Sequence, residues 1–108
     1  MLKLTARDAL ERLTDTKTDF ARLIEKETFD VSLYKPEKID PQTPHARDEL
    51  YVIASGSGKF FCAGETQSIA TGDVLFVAAG VEHRFENFTG DFSAWVIFFG
   101  VRPSKAAD

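Results

Sequence analysis

Only one stretch of the chain, close to its start, has apolar residues at helical spacing. Thr5 and Asp8 form a start resembling a capping box, and the pattern fades near Asp15. The apolar residues that recur on one helical face are Ala6, Ala9, Leu10 and Leu13. We therefore predict a short amphipathic helix within about residues 1–16 that packs against the outside of a larger body.

From Phe20 onward the pattern changes to short strand-like runs separated by turn residues, such as Ser55–Gly58 and Thr71–Asp73. Many short strands at this spacing predict an all-β sandwich or barrel. No repeat or linker interrupts the pattern, so we predict a single domain over residues 1–108. The predicted runs are Phe20–Ile24, Phe29–Tyr34, Glu49–Ala54, Lys59–Cys62, Thr66–Ala70, Asp73–Ala78, His83–Asn87 and Phe92–Phe99.

Two of these runs, Val74–Ala78 and Ala94–Phe99, are apolar on both faces. A strand in a two-sheet barrel has one inner and one outer face, so an exposed outer face should carry polar residues. The helix can cover part of the outer face. Because large exposed apolar patches are uncommon on monomers, we predict a homodimer that covers the rest.

Composition narrows the function classes. The net charge of −4 and pI near 5.1 disfavour nucleic acid and anionic membrane as partners, because both repel an acidic protein. No apolar run approaches membrane-spanning length, and the first residues lack the apolar stretch of a signal sequence. The single cysteine, Cys62, cannot form an internal disulfide, which fits a cytoplasmic location.

The two histidines are the candidate chemical groups. His45 and Glu49 are four residues apart and would share one face of a strand, but at a separation of about 13 Å. They can share an ion only if the chain bends near Pro44. His83 opens a later strand, and the three side chains would converge if that strand neighbours the first. Taken singly, each is as easily a loop, strand-end or surface residue; together they suit a divalent metal with open coordination positions.

The segments around the histidines carry two spaced patterns, His45-x3-Glu49-x6-Gly56 and Gly72-x5-Ala78-x-Gly80-x2-His83-x3-Asn87. These patterns resemble the two sequence motifs of the cupin superfamily. The second motif departs in one place, with Ala78 where the family has proline. A further resemblance, to a subgroup reading Asp-x-Gln-x-Pro-His-x-x-Asp-Glu, covers residues 40–49.

This resemblance implies a jelly-roll barrel of two antiparallel sheets and a divalent metal, commonly iron, manganese, nickel or zinc, held by His45, Glu49 and His83. The family's usual first histidine falls at Thr43, whose hydroxyl is a poor ligand, so Gln42 or a water would fill the fourth position. Two histidines and one carboxylate also resemble the facial triad of non-haem iron oxygenases.

Strand parity extends the candidate site. Tyr51 and Ile53 share the parity of Glu49, and Phe85 shares that of His83. In the last strand the inner set is either Trp95, Ile97 and Phe99 or Ala94, Val96 and Phe98. The pocket-lining candidates are Thr43, Ile53, Phe85 and Trp95, and Tyr51 is the nearest proton donor. Arg47 and Asp48 should face outward or pair with each other at the rim of the barrel. Asn87 should form a turn.

Two functions remain open on this basis. One is a metal-dependent enzyme, a dioxygenase or an isomerase or lyase, acting on a small organic molecule. The other is a non-catalytic module that binds a small molecule without needing a metal. The absence of the first motif histidine at Thr43 favours the second.

Overall fold

The computed structural model describes residues 1–101. Each run that the hydrophobic pattern predicts forms a regular element there, with ends that shift by at most two residues. The domain prediction reaches residue 108, and residues 102–108 lie outside the described part of the chain. The elements are α1 (Ala6–Thr16), β1 (Phe20–Glu25), β2 (Phe29–Tyr34), β3 (Asp48–Ser55), β4 (Ser57–Cys62), β5 (Glu65–Ala70), β6 (Val74–Val77), β7 (His83–Glu86) and β8 (Ser93–Phe99).

The strands form two antiparallel sheets that face each other, which confirms the predicted jelly-roll architecture. The larger sheet has the order β1-β2-β8-β3-β6, and the smaller has the order β5-β4-β7. Strand β3 lies between β8 and β6, whereas β7 pairs with β4. The strand of His83 is therefore in the facing sheet and is not a lateral neighbour of the strand of Glu49.

The interior between the sheets is filled mainly by aromatic and branched side chains. In β8 the inner set is Ala94, Val96 and Phe98, which resolves the ambiguity that the sequence left in this strand. The other buried apolar residues of the interior are Tyr34, Tyr51, Ile53, Phe60, Ile69, Val77, Phe85 and Phe92.

Helix α1 packs on the outside of the larger sheet, as predicted. Its N-cap is Thr5, whose hydroxyl accepts a hydrogen bond from the backbone N–H of Asp8 at 3.1 Å. Ala9 and Leu13 of the helix form a second apolar cluster with Ala21 and Leu33, against which Trp95 packs. Trp95 therefore faces outward beneath the helix, and its assignment to the pocket is corrected. No helix among residues 1–101 is long and apolar enough to cross a membrane.

The part of the larger sheet that the helix leaves uncovered is apolar. In one row, Ile97 pairs with Leu50 and Leu50 with Phe76, a residue that is 60% exposed. Val74 is 62% exposed in the neighbouring row. We call this surface the outer apolar patch; its residues are Phe29, Val31, Leu50, Val74, Phe76, Ile97 and Phe99.

Candidate metal centre

His45 reaches Glu49 because the chain bends between them. His45 precedes β3, and residues 46 and 47 form the bend that the extended spacing requires. The carbonyl of His45 accepts a hydrogen bond from the backbone N–H of Gly80 at 2.8 Å, which ties this loop to the β6–β7 turn. As a result, Nε2 of His45 lies 3.7 Å from Oε1 of Glu49.

His83 approaches the same carboxylate from the facing sheet. Its Nε2 atom lies 2.7 Å from Oε1 of Glu49, and both side chains are only 1% exposed. The rings of His45 and His83 are 5.2 Å apart, measured between centroids. One ligand atom from each of the three residues falls within 4.8 Å of the others, so the group has the dimensions of a metal site.

The hydrogen bonding of His83 fixes which of its nitrogens faces the site. Nδ1 lies 2.8 Å from the carbonyl oxygen of Val81, which can only accept, so Nδ1 carries a proton. Nε2 is therefore the nitrogen that faces the carboxylate of Glu49: it donates a hydrogen bond to Oε1 when it is protonated and offers a lone pair to a metal ion when it is not. Two electron-rich atoms at 2.7 Å repel unless a cation lies between them, either a proton or a metal ion. This donor set fits a divalent metal, with the carbonyl of Val81 orienting the imidazole as such outer partners do.

Gln42 and Tyr51 complete the polar wall of the site. The side-chain oxygen of Gln42 lies 2.9 Å from Nε2 of His45 and accepts a hydrogen bond from the Tyr51 hydroxyl at 3.0 Å. That hydroxyl is also 3.1 Å from Nε2 of His83. Burial and the charge of Glu49 raise the pKa of Tyr51 well above its ordinary value, so Tyr51 keeps its proton.

A cavity of about 220 Å³ reaches Gln42, His45 and Glu49, whereas Tyr51 and His83 are outside its lining. It has an apolar wall and polar groups at its base, the usual character of a small-molecule site. Sequence reasoning missed Asp19, Phe20, Tyr34 and Pro41, which lie at the ends of β1 and β2 or in the adjoining loops, where no local pattern indicates a pocket. The lining residues are Asp19, Phe20, Tyr34, Pro41, Gln42, His45, Glu49, Val96 and Phe98.

Several predicted pocket residues lie elsewhere. Thr43 is exposed and outside the cavity lining. Ile53 and Phe85 face inward, as parity predicts, but both are fully buried in the core and do not line the cavity. With Trp95 on the outer face, none of the four pocket candidates contacts the cavity. Strand parity places a side chain inside the barrel but does not show whether it lines a cavity, and aromatic side chains fill most of the interior.

Arg47 also departs from the prediction, which placed it at the surface or the rim. It is buried, and its guanidinium lies 2.8 Å from the carboxylate of Asp30, which is buried too. The guanidinium stands over the ring of Phe98 at 4.8 Å, and His45 meets the same ring edge-on with centroids 5.2 Å apart. The ion pair therefore supports the side of the site that holds His45. Asp48 is exposed and caps the β6–β7 turn through the N–H of Ala79.

The fold and the site together define a class: a small antiparallel β-barrel that groups two imidazoles and a carboxylate, of which His45 and Glu49 line a cavity. A family profile described as a cupin domain matches residues 31–99, and the chain belongs to the cupin family.

Relatives and solved structures agree with this membership. The chain is 33% identical over 81 residues to an uncharacterized protein of Streptomyces coelicolor, covering 73% of this chain and 77% of that protein. Its fold resembles an RmlC-like cupin with a double-stranded β-helix fold from Methanocaldococcus jannaschii (TM-score 0.66, 14% identity, 76% of this chain and 79% of that one). It also resembles the DMSP lyase DddQ from Ruegeria pomeroyi (TM-score 0.68, 23% identity), covering 99% of this chain but only 58% of the lyase.

Proposed function

We propose that this cupin binds one divalent metal ion and acts as a metal-dependent enzyme on a small organic molecule. The observation that carries the proposal is the buried approach of Nε2 of His83 to Oε1 of Glu49 at 2.7 Å, with His45 beside them at the base of a cavity. An arrangement of this kind costs free energy unless a cation neutralises it, and an open cavity above it gives a substrate access.

In this proposal His45, Glu49 and His83 hold the metal, and Gln42 adds a fourth oxygen ligand. Imidazole and carboxylate donors suit iron, manganese, nickel or zinc, and the two-histidine, one-carboxylate set favours iron. When bound, the metal polarises a substrate oxygen or activates dioxygen.

Tyr51 is the proposed proton donor. Its hydroxyl lies at the polar wall of the site, 3.1 Å from Nε2 of His83, and its raised pKa keeps the proton available until negative charge develops on a substrate. The cavity volume of about 220 Å³ suits a small molecule. The walls formed by Phe20, Val96 and Phe98 would exclude bulk water once a substrate is bound.

Oxygen uptake tests the enzymatic proposal. Anaerobically iron-loaded protein would be mixed with dioxygen and a panel of small phenols, diketones and thiols, while a discontinuous assay follows isomerisation or elimination products. We expect turnover of at least one class, and a drop in kcat for Tyr51→Phe at unchanged metal content. The second candidate function is a non-catalytic module that binds a small molecule, and the exposed Thr43 at the first histidine position favours it. It would be supported if the protein keeps its metal and binds compounds of the panel but converts none of them.

Metal binding should also depend on pH. Burial lowers the pKa of His83, but its hydrogen bonds to Glu49 and to the Val81 carbonyl and the charge of Glu49 outweigh burial, so the pKa is raised. A proton therefore competes with the metal for Nε2, and affinity should fall as the pH is lowered through this raised pKa and level off above it. Competition titrations with Mn²⁺ between about pH 5 and 8 measure the effect. A flat profile would mean that Nε2 of His83 does not bind the ion.

We further propose that the outer apolar patch joins two copies of the chain. Phe76 and Val74 lie on the edge strand β6, next to Leu50 on β3, so the patch is continuous up to the edge of the sheet. Burying this patch in a symmetric interface would remove its exposed apolar side chains from water.

Light scattering after size exclusion should give twice the 12.0 kDa chain mass. Phe76→Glu should return the mass to one chain, whereas Thr66→Glu, at an exposed position of the edge strand β5 in the other sheet, should leave the dimer intact. A monomeric wild type would contradict the dimer.

We place the protein in the cytoplasm, since its one cysteine, Cys62, is a free thiol and suits a reducing compartment.

A further inference from the structure

Asp40 is a buried carboxylate that accepts hydrogen bonds from β2, from β7 and from its own loop. Asp40 is only 7% exposed and lies in the loop between β2 and β3. Oδ1 accepts from the Tyr34 hydroxyl at 2.6 Å and from the backbone N–H of Gln42 at 3.3 Å. Oδ2 accepts from the backbone N–H of Phe85 at 2.8 Å and from Nε2 of Gln42 at 2.5 Å. A buried carboxylate is tolerated only with such compensation.

These contacts determine which way the amide of Gln42 points. The backbone N–H of Phe85 can only donate, so Oδ2 of Asp40 acts as an acceptor. The Gln42 atom bonded to the same oxygen must then be the NH₂ group. The carbonyl oxygen of Gln42 is consequently the atom that faces the metal site, and the Tyr51 hydroxyl, as a donor, bonds to it in that orientation.

We propose that Asp40 is a positioning residue that holds the carbonyl oxygen of Gln42 toward the metal and so supplies the ligand that the absent motif histidine at Thr43 would provide. The inference rests on the proposed metal binding and deepens it. A carbonyl oxygen has two lone pairs: one accepts from Tyr51, and the other faces Nε2 of His45 at 2.9 Å, so a bound cation takes the place of the proton between those two atoms. The resulting set of two nitrogen and two oxygen donors is harder than a three-histidine set and shifts preference toward Mn²⁺ and Fe²⁺.

Asp40→Asn tests this role because it keeps the size of the side chain but removes the charge and one of the two acceptor oxygens. The single remaining oxygen cannot serve all four donors that the carboxylate binds, so the amide of Gln42 is held less firmly. We expect the Mn²⁺ affinity to fall by about 10–100-fold, the usual effect of removing a partner that orients a ligand. The visible absorption of the Co²⁺-loaded protein should change as well, because one oxygen donor is lost.

A double-mutant cycle separates positioning from a general structural effect. Gln42→Ala should weaken Mn²⁺ binding by a similar factor, and adding Asp40→Asn to Gln42→Ala should cost nothing more, since Asp40 acts through Gln42. Asp73→Asn is the matched control: it makes the same carboxylate-to-amide change at an exposed residue that accepts from the Ala70 N–H at 2.8 Å, so affinity and spectrum should stay as in the wild type.

Two outcomes would overturn the inference while leaving the metal site intact. In one, wild type, Asp40→Asn and Gln42→Ala bind Mn²⁺ equally well and give the same Co²⁺ spectrum. In the other, Asp40→Asn weakens binding as much in the Gln42→Ala background as alone. If Asp40→Asn does not fold, the Gln42→Ala variant decides alone, because an unchanged affinity there excludes Gln42 as a ligand. A wild type that binds neither ion would overturn both this inference and the proposed function.

Discussion

The His83→Ala variant will lose metal affinity by more than about 100-fold, exceeding the 10–100-fold effect of changing a partner that only orients a ligand. The physical reason is that Nε2 of His83 is the atom nearest to the Glu49 carboxylate, at 2.7 Å, and the two side chains come from opposite sheets. Without the imidazole, the remaining groups all belong to the larger sheet and the loops beside it, and they enclose a cation from one side only.

The measurement is a competition titration with a metal-sensitive dye, on protein made without a histidine tag. Glu82→Gln is the matched control, because Glu82 is adjacent to His83 in sequence, exposed, and pairs with Arg84 at 3.7 Å. It should bind metal as the wild type does. Equal affinity of wild type and His83→Ala would show that the ion is held elsewhere or not at all.

Asp30→Ala will destabilise the fold by about 3–5 kcal/mol, the cost of leaving one member of a buried ion pair without its partner charge. Asp30 and Arg47 are joined at 2.8 Å, with side chains 1% and 4% exposed. Removing the carboxylate leaves the guanidinium over Phe98 without this compensating charge. Because a domain of this size is stable by only about 5–15 kcal/mol, the loss should be plain in denaturant unfolding.

Two comparisons decide whether the ion pair is the cause. Glu86→Gln removes one member of the partly exposed pair with Arg84, at 2.9 Å, and should cost less than about 1 kcal/mol. The double variant Asp30→Leu with Arg47→Met replaces both charges by apolar groups and should be more stable than Asp30→Ala. A double variant less stable than Asp30→Ala would contradict this account of the pair.

Most of the secondary structure follows from local pattern. The helix is predictable because Thr5 caps it and its apolar residues repeat at helical spacing, and the strands are predictable because glycine-containing turns separate them. Strand pairing is less accessible. Nothing near His83 in sequence indicates that β7 pairs with β4 across from β3, since the pairing depends on how the whole barrel closes.

The site is predictable only in part. His45, Glu49 and His83 are found by two spaced motifs, and the structure brings them together. Trp95 was misplaced because β8 is apolar on both faces, so parity alone cannot distinguish the core from the surface beneath the helix.

The buried charges could not be predicted for a different reason. Charged residues are normally exposed, and the partners that compensate Arg47 and Asp40 are brought near by folding. Asp30 is 17 residues from Arg47, and the Phe85 N–H is 45 residues from Asp40. Such long-range compensation leaves no periodic or local pattern in the sequence.

The most direct test of the central claim is a crystal structure of the Mn²⁺- or Fe²⁺-loaded protein with anomalous difference maps collected at the metal edge. The account predicts one anomalous peak per chain, within about 2.0–2.3 Å of Nε2 of His45, Nε2 of His83 and a carboxylate oxygen of Glu49. A well-ordered barrel with no peak between these three side chains after metal loading would contradict it.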